Sequence, residues 1–240
     1  MRRVGMRTLG MAMLLVAVGA APAAAQVGIG VKAGSEGLGV DVAVPVASRV
    51  NIRAGVSTFT LNHDFDSDGI TIAAQLKLSG VDAHLDLFPF GGSFHISPGF
   101  TIHNGTKVSG AAAVAGGQSF SLGDQSLVSD RTNPVTGAAA VAFKSTAPSL
   151  TMGFGNLVPR GTRRWSIGVE FGAMLSKQPT ATLTLAGNAC ASNGTNCRPI
   201  ATDPTLQSDL ASQVAKINKD LEPLKALPIF QMGFGYRFGK

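Results

Sequence analysis

Past residue 25, this 240-residue chain holds no uninterrupted apolar run approaching the roughly 20 residues that a membrane-spanning helix needs. Charge is scarce as well: Asp, Glu, Lys and Arg make up 14% of the residues. No run of Lys or Arg is interleaved with aromatics, so the electrostatic footprint of nucleic-acid binding is missing. There is no Gly-x-Ser-x-Gly elbow and no His-Glu-x-x-His, hence no specific nucleophile or metallopeptidase signature. Gly-x-Gly steps such as Gly28-Ile29-Gly30 are followed by no helix, which rules them out as phosphate loops; glycine at this spacing suits curved strands and crowded interiors. The two cysteines have neither a second Cys pair nor a neighbouring His to complete a zinc site.

What is present begins with a three-part N-terminus. Arg2, Arg3 and Arg7 form a basic head, Met11 to Ala20 an apolar core, and Ala23-Ala24-Ala25 a small-residue site before Gln26. That order predicts a secretory signal over residues 1–25, cleaved after Ala25. Its removal takes three of the 20 basic residues and none of the 14 acidic ones, leaving 17 against 14, so the mature chain is only weakly basic. In an oxidising compartment Cys190 and Cys197, which flank a turn-forming Ala-Ser-Asn-Gly-Thr-Asn, are expected to close a loop-stapling disulfide. Asn104-Gly-Thr and Asn193-Gly-Thr match a glycosylation sequon and are expected as turns.

An exported chain with positive mean hydropathy (+0.23) and no helical span must carry its apolar character by alternation. Val27, Ile29, Val31 and Ala33 share one parity, and Leu38, Val40, Val42 and Val44 repeat the pattern. Val50, Ile52, Ala54 and Val56 follow. Ile70 to Leu78 then continue on even positions and Val81 to Leu87 on odd ones, a phase slip at Ser79-Gly80. A bulge there would keep both halves of one long strand facing lipid; two separate strands are the alternative. Phe94, Ile96, Phe100 and Ile102 form the next row, then Leu150, Met152 and Phe154, then Trp165 to Ala173 on odd positions, and finally Phe230, Met232, Phe234, Tyr236 and Phe238.

With the slipped segment taken as one strand the rows number eight, which puts both termini on one side. The short turns at 45–49, 89–93 and 156–164 then share that side, and the long connections at about 105–148, a long loop or strands extended beyond the membrane, and 178–227 share the other. From Asp203-Pro204, a cap and first helical position, Leu206, Leu210, Val214, Ile217, Leu221 and Leu224 recur at helical spacing, and Pro223 and Pro228 would end the helix. Its apolar stripe is expected to pack on the mouth or the loops, the sharper alternative being a partner or lipid contact. The predicted fold is all-β: an antiparallel eight-stranded transmembrane β-barrel over residues 26–240 with long external loops, one containing an amphipathic helix.

The signal, the eight alternating rows, the region Leu85-Asp86-Leu87-Phe88-Pro89-Phe90-Gly91-Gly92 and the closing Gly233-Phe234-Gly235-Tyr236-Arg237-Phe238 resemble small outer-membrane barrel proteins of Gram-negative bacteria over nearly the whole mature chain. The resemblance implies an outer-membrane location, contact with outer-membrane lipids and recognition by the barrel-assembly machinery, for which Tyr236 and Phe238 are the candidate signal. In this chain Gly239 and Lys240 follow the terminal aromatic. The architecture hosts anchors, channels, adhesins and lipid-modifying enzymes, so it selects no function by itself and leaves the oligomeric state open.

The inward parity holds Lys32, Arg53, Lys77 and Arg237 against Asp41, Asp82, Asp86 and Glu170. Equal signs in so narrow a barrel predict a salt-bridge network that fills the interior; a selective channel would more often show one sign in excess. Asp64, Asp66, Asp68 and Gly69 match the first half of a calcium loop, but Gln75 stands where the bidentate Glu belongs, so an acidic solvent loop competes with a calcium site. His84 between Asp82 and Asp86, and His95 and His103 with Ser97 and Thr101, could suggest a Ser-His-Asp arrangement; lumen packing explains them without catalysis. Apart from calcium no cofactor is implied. The expected role is non-enzymatic, structural or surface-interacting, with a narrow channel or porin for small solutes as the alternative and a lipid-modifying enzyme behind it.

Overall fold

The computed structural model describes residues 26–67 and 70–239, of which 65–67 and 70 by backbone alone. The segment expected as a signal lies outside the described residues, as do Asp68 and Gly69. Strands β1 (Val27–Gly34), β2 (Gly37–Ala47), β3 (Val50–Ser67), β4 (Ile70–Leu87) and β5 (Phe94–Asn104) follow one another as an antiparallel meander. β6 (Lys107–Val114) then pairs with the distal half of β4 instead of with β5, and β7 (Ser119–Leu122) and β8 (Gln125–Ser129) form a hairpin beyond it. β9 (Thr136–Ala142) pairs with β6, and β10 (Ala147–Phe154) returns to β5. After β11 (Trp165–Leu175), β12 (Thr180–Ala186) adds to β9, and the short β13 (Asn188–Cys190) and β14 (Arg198–Pro199) extend the β7–β8 sheet. Helix α1 (Pro204–Asp220) precedes β15 (Ala226–Phe238), which pairs with both β11 and β1.

The β4–β5 pairing closes the main sheet into a ring of β1, β2, β3, β4, β5, β10, β11 and β15, and β6, β9 and β12 hang from β4 as an extension. These eight strands are the eight rows of alternating residues in the sequence. Val27 pairs with Phe238, so both ends of the described chain leave at the same rim, which also carries the turns 48–49, 88–93 and 155–164. At the other rim β1 and β2 are joined by Ser35-Glu36, with Gly37 at φ +103°, a left-handed conformation that favours glycine there. Around the ring the apolar parity points outward: Ile167 is 73% exposed and Met232 53%, while Arg53 of the inward parity is 4% exposed. This inversion of the usual globular pattern is what a lipid-facing ring requires.

The phase slip has a different cause from the one expected. β3 and β4 keep an unbroken register from Val50↔Leu87 to Ser67↔Ile70, so no bulge restores the parity and the two halves of β4 turn their apolar residues to opposite faces. The switch falls where β4 changes partner, with Gly80 paired to Asn104 of β5 and Lys77 to Lys107 of β6. Within the ring the apolar face looks outward. Beyond it the apolar residues of β4 turn to the inward side, where Ile72, Leu76 and Leu78 are half-buried. Lys77 therefore sits on the outer, exposed face beyond the ring and not in the interior as its parity suggested. The bulge lies on β5 instead, where the register against β4 shifts between Val81↔His103 and Asp82↔Thr101. It brings His103, expected inside, to the exposed side.

The outer core joins the two long connections into a module. Val114 of β6, Val135 just before β9, Leu122, Leu127 and Ala189 of the small sheet, Ile200, and Leu206 and Leu210 of α1 bury one another, with Leu183 and Leu185 at the edge. Leu206 and Leu210 of the apolar stripe are thus buried within the chain, Val214, Ile217 and Leu221 are half-buried, and Leu224, beyond the end of the helix, is exposed. Asn218 ties the last turn to β12 by accepting from the Ala181 amide at 2.9 Å, and Cys190 and Cys197 are joined in a disulfide. At the other end Asp203 caps the helix, accepting from the amides of Thr205 and Leu206 at 3.0 Å each. Hydrogen bonding from Leu206 above all holds its carboxyl below the usual range. A depressed folded value means that the cap is complete above the unfolded pKa of about 3.9 and is lost as the pH falls through the folded one. The protection factors of amides 205–210, exchange rates divided into the intrinsic rate at each pH, should therefore fall on acidification towards pH 3, and should not do so in Asp203→Asn, whose cap does not titrate.

Candidate functional site

The interior of the ring is the one place where buried charge concentrates among the described residues. Arg53 of β3 stands at its centre. Its Nε donates to Asp86 Oδ1 and Oδ2 at 3.2 and 3.1 Å, its Nη2 to Asp86 at 3.0 Å and Glu170 at 2.6 Å, and its Nη1 to Asp41 at 3.4 Å. Lys32 of β1 bridges Asp41 at 2.8 Å and Asp82 at 3.0 Å. Five strands thus meet through two cations, because inward parity on β1, β2, β3, β4 and β11 brings these side chains to similar depth. Ser97 Oγ completes Asp86 at 2.7 Å, and Gln231 Nε2 donates to Glu170.

Of the eight charged residues assigned to the interior from sequence, Lys32, Asp41, Arg53, Asp82, Asp86 and Glu170 converge. Lys77 does not, for the register reason above. Arg237 is inside but at a different depth, donating from Nη1 to the Pro159 carbonyl at 2.5 Å and from Nη2 to the Gly161 carbonyl at 3.0 Å. The centre therefore sets two permanent cations against four carboxylates, and two histidines complete it. His84 Nε2 lies 3.3 Å from Asp82 and His95 Nε2 2.7 Å from Glu170. The sequence marked both as interior and set His84 beside Asp82 and Asp86, but did not join His95 to Glu170, which lies on a distant strand of the same inward parity.

Below this centre the turn 155–164 folds into the mouth at the terminal rim. Val158 is buried, and Asn156 accepts from Asn51 Nδ2 at 2.9 Å. Leu157 occupies space left by glycines: a Cβ on Gly28 would collide with the Leu157 carbonyl oxygen, and one on Gly235 with its Cδ1. These glycines thus make room for an inserted loop. Above the centre Ala147, Met174 and Ile229 form an apolar layer with Leu227 against it. The free volume left among Lys32, Arg53, Asp86, His95 and Glu170 is about 60 Å³, room for a few water molecules. The inserted turn, the charged centre and the apolar layer occupy successive depths of the ring.

Asp82, His84 and Ser149 adjoin, as do Glu170, His95 and Ser97, but all six are buried beneath these layers. His103, whose Nδ1 is 3.5 Å from Ser145 Oγ, is exposed. Of the calcium candidates Asp64 is exposed, Asp66 is placed by its backbone alone in β3, and Asp68 lies outside the described residues. The cluster with metal-ligand spacing among the described residues is Asp130 with Cys190 and Cys197. Its sulfurs are already spent in the disulfide, so it offers no thiolate. Of the two sequon asparagines expected in turns, Asn193 sits in one and accepts from the Thr195 amide at 3.1 Å, whereas Asn104 is the last residue of β5, accepting from the Thr106 amide at 3.0 Å as the chain leaves the strand.

No family model matches the chain, and no curated protein matches it. Solved structures do. CarO of Acinetobacter baumannii superposes with a TM-score of 0.55 at 19% identity, covering 88% of this chain and 97% of that one. CarO2 of the same organism gives 0.56 at 18%, covering 89% and 98%. A major outer membrane protein of Thermus thermophilus also aligns, with a TM-score of 0.37 at 13% identity over 90% and 100% of the two chains. At these identities the two CarO likenesses speak for the fold alone. The structures that this chain resembles are those of outer-membrane proteins.

Proposed function

We propose that this chain is a transmembrane β-barrel of a bacterial outer membrane, closed along its axis, whose non-enzymatic role is structural or surface-interacting and is carried by the module at its outer end. The outward apolar belt on all eight ring strands supports the membrane placement. The terminal rim with its short turns then faces the periplasm and the two long connections face outside. The observation that carries the functional reading is the filled interior: Arg53, bound to three carboxylates, lies between an inserted turn and an apolar layer, and about 60 Å³ is left free among these side chains. A channel would spend its inward parity on a lining, whereas this chain spends it on cross-links between strands.

Planar-bilayer recording of the purified, refolded chain tests the closed state. It should show no discrete conductance steps under moderate voltage. Reproducible ion-selective steps would overturn this reading in favour of a narrow channel. The non-enzymatic assignment is checked separately by comparing lipid A and phospholipid profiles with and without expression, and the two should match.

A further inference from the structure

The terminal rim carries an imbalance of charge that neither the ring nor its filled interior requires. Its three turns, 48–49, 88–93 and 155–164, contain Arg49, Arg160, Arg163 and Arg164 and not one Asp or Glu. Among the described residues the ion pairs lie in the interior or in the outer module, and none involves these arginines. Arg49 donates to the Pro89 carbonyl at 3.1 Å, Arg160 lies 4.7 Å over the Phe88 ring, and Arg164 Nη1 donates to the Tyr236 hydroxyl at 3.4 Å. Such contacts position the guanidinium groups without neutralising them. Burial first, and the neighbouring charge of Arg49 second, hold Arg160 below the usual arginine range, as expected of cations crowded together with no anion.

Arg160, Arg163 and Arg164 rim a cleft of about 940 Å³ between the two longer turns, and Phe154, Trp165 and Phe234 form its other wall. That wall belongs to the outer face of the ring, which the membrane reading places against acyl chains. One wall is apolar and open to lipid, the other cationic and uncompensated. A soluble phosphate would make no use of the aromatic wall, and an acidic protein in the periplasm would not reach along it. The occupant that matches both is an amphiphile with an anionic head. We propose that this cleft binds an anionic phospholipid of the inner leaflet, its phosphodiester on Arg160, Arg163 and Arg164 and an acyl chain along Phe154, Trp165 and Phe234. This inference rests on the membrane reading of the previous subsection.

Trp165 is the single tryptophan of the chain and lines the cleft, so its fluorescence reports the occupant directly. The folded chain is reconstituted into phosphatidylcholine vesicles in which either a minor phosphatidylglycerol fraction or an equal phosphatidylcholine fraction carries brominated acyl chains. Brominated phosphatidylglycerol should quench Trp165 beyond its mole fraction, with a preference of about fivefold for each arginine engaged, and the excess should shrink in high salt. Arg163→Gln, whose side chain is exposed, should lower the preference by about that factor with the heat-dependent gel shift unchanged. Equal quenching by the two lipids in protein that has inserted overturns the lipid site and leaves the membrane reading standing. Failure to insert at all overturns both.

Discussion

Replacing Arg53 by Met should destabilise the folded chain by about 3–5 kcal/mol, because it removes one partner of a buried pair and leaves the other charges uncompensated. Arg53 faces Asp86, Glu170 and Asp41, at side-chain exposures of 6%, 9% and 10%. With the guanidinium gone, Asp41 keeps Lys32, Glu170 keeps His95 and Gln231, and Asp86 keeps only Ser97. The urea midpoint of refolded protein in vesicles measures the loss. Arg53→Lys should recover only part of it, since a single ammonium cannot reproduce the fork that holds Asp86 and Glu170 together. Combining Arg53→Met with Asp86→Asn should cost less than the sum of the two single changes, because they remove partners of one network. A change below about 1 kcal/mol in Arg53→Met, the range typical of exposed pairs, would mean that the interior is wet.

Leu206→Asp should take the outer module apart and spare the ring. Leu206 and Ile200 are both fully buried in a core shared by the extended sheet, the small sheet and α1. Even Leu206→Ala should cost about 2–5 kcal/mol there, and a carboxylate among Leu122, Leu127 and Val135 adds the penalty of an unpaired buried charge. The ring strands draw on none of this core, being held by their own pairings and the charged centre. Limited proteolysis of the reconstituted variant should cut within residues 105–146 and 176–225, while the boiled and unboiled forms still migrate differently. Resistance equal to that of the unaltered chain would show that α1 contributes nothing to the module.

How far the sequence foretold this arrangement depended on what parity can and cannot say. It located all eight ring strands, because a half-buried strand alternates whichever medium lies outside. It could not tell which face of β4 met lipid once the ring ended, so the slip at Ser79-Gly80 read as a bulge and Lys77 as an interior charge. Depth along the axis was equally hidden: Arg237 has inward parity, but its partners are carbonyls of an inserted turn. That turn left only an indirect trace in the small residues Gly28, Gly30 and Gly235. β6 and β9 were legible only as one of two readings, a long loop or strands extended beyond the membrane, since runs such as Ala111-Ala112-Ala113 and Ala138-Ala139-Ala140 lack both strict alternation and β-branched side chains, and the single short alternation of Thr180, Thr182 and Thr184 in β12 lay inside a long connection. Helix α1, by contrast, announced itself through its cap, its proline and its apolar spacing.

The central claim, a closed barrel in the outer membrane, is tested most directly by cell fractionation followed by gel migration of boiled and unboiled samples. A band in the outer-membrane fraction is expected, extracted only with detergent and changing its migration on boiling. A soluble periplasmic band that migrates identically before and after boiling would contradict the membrane placement and the closed ring together.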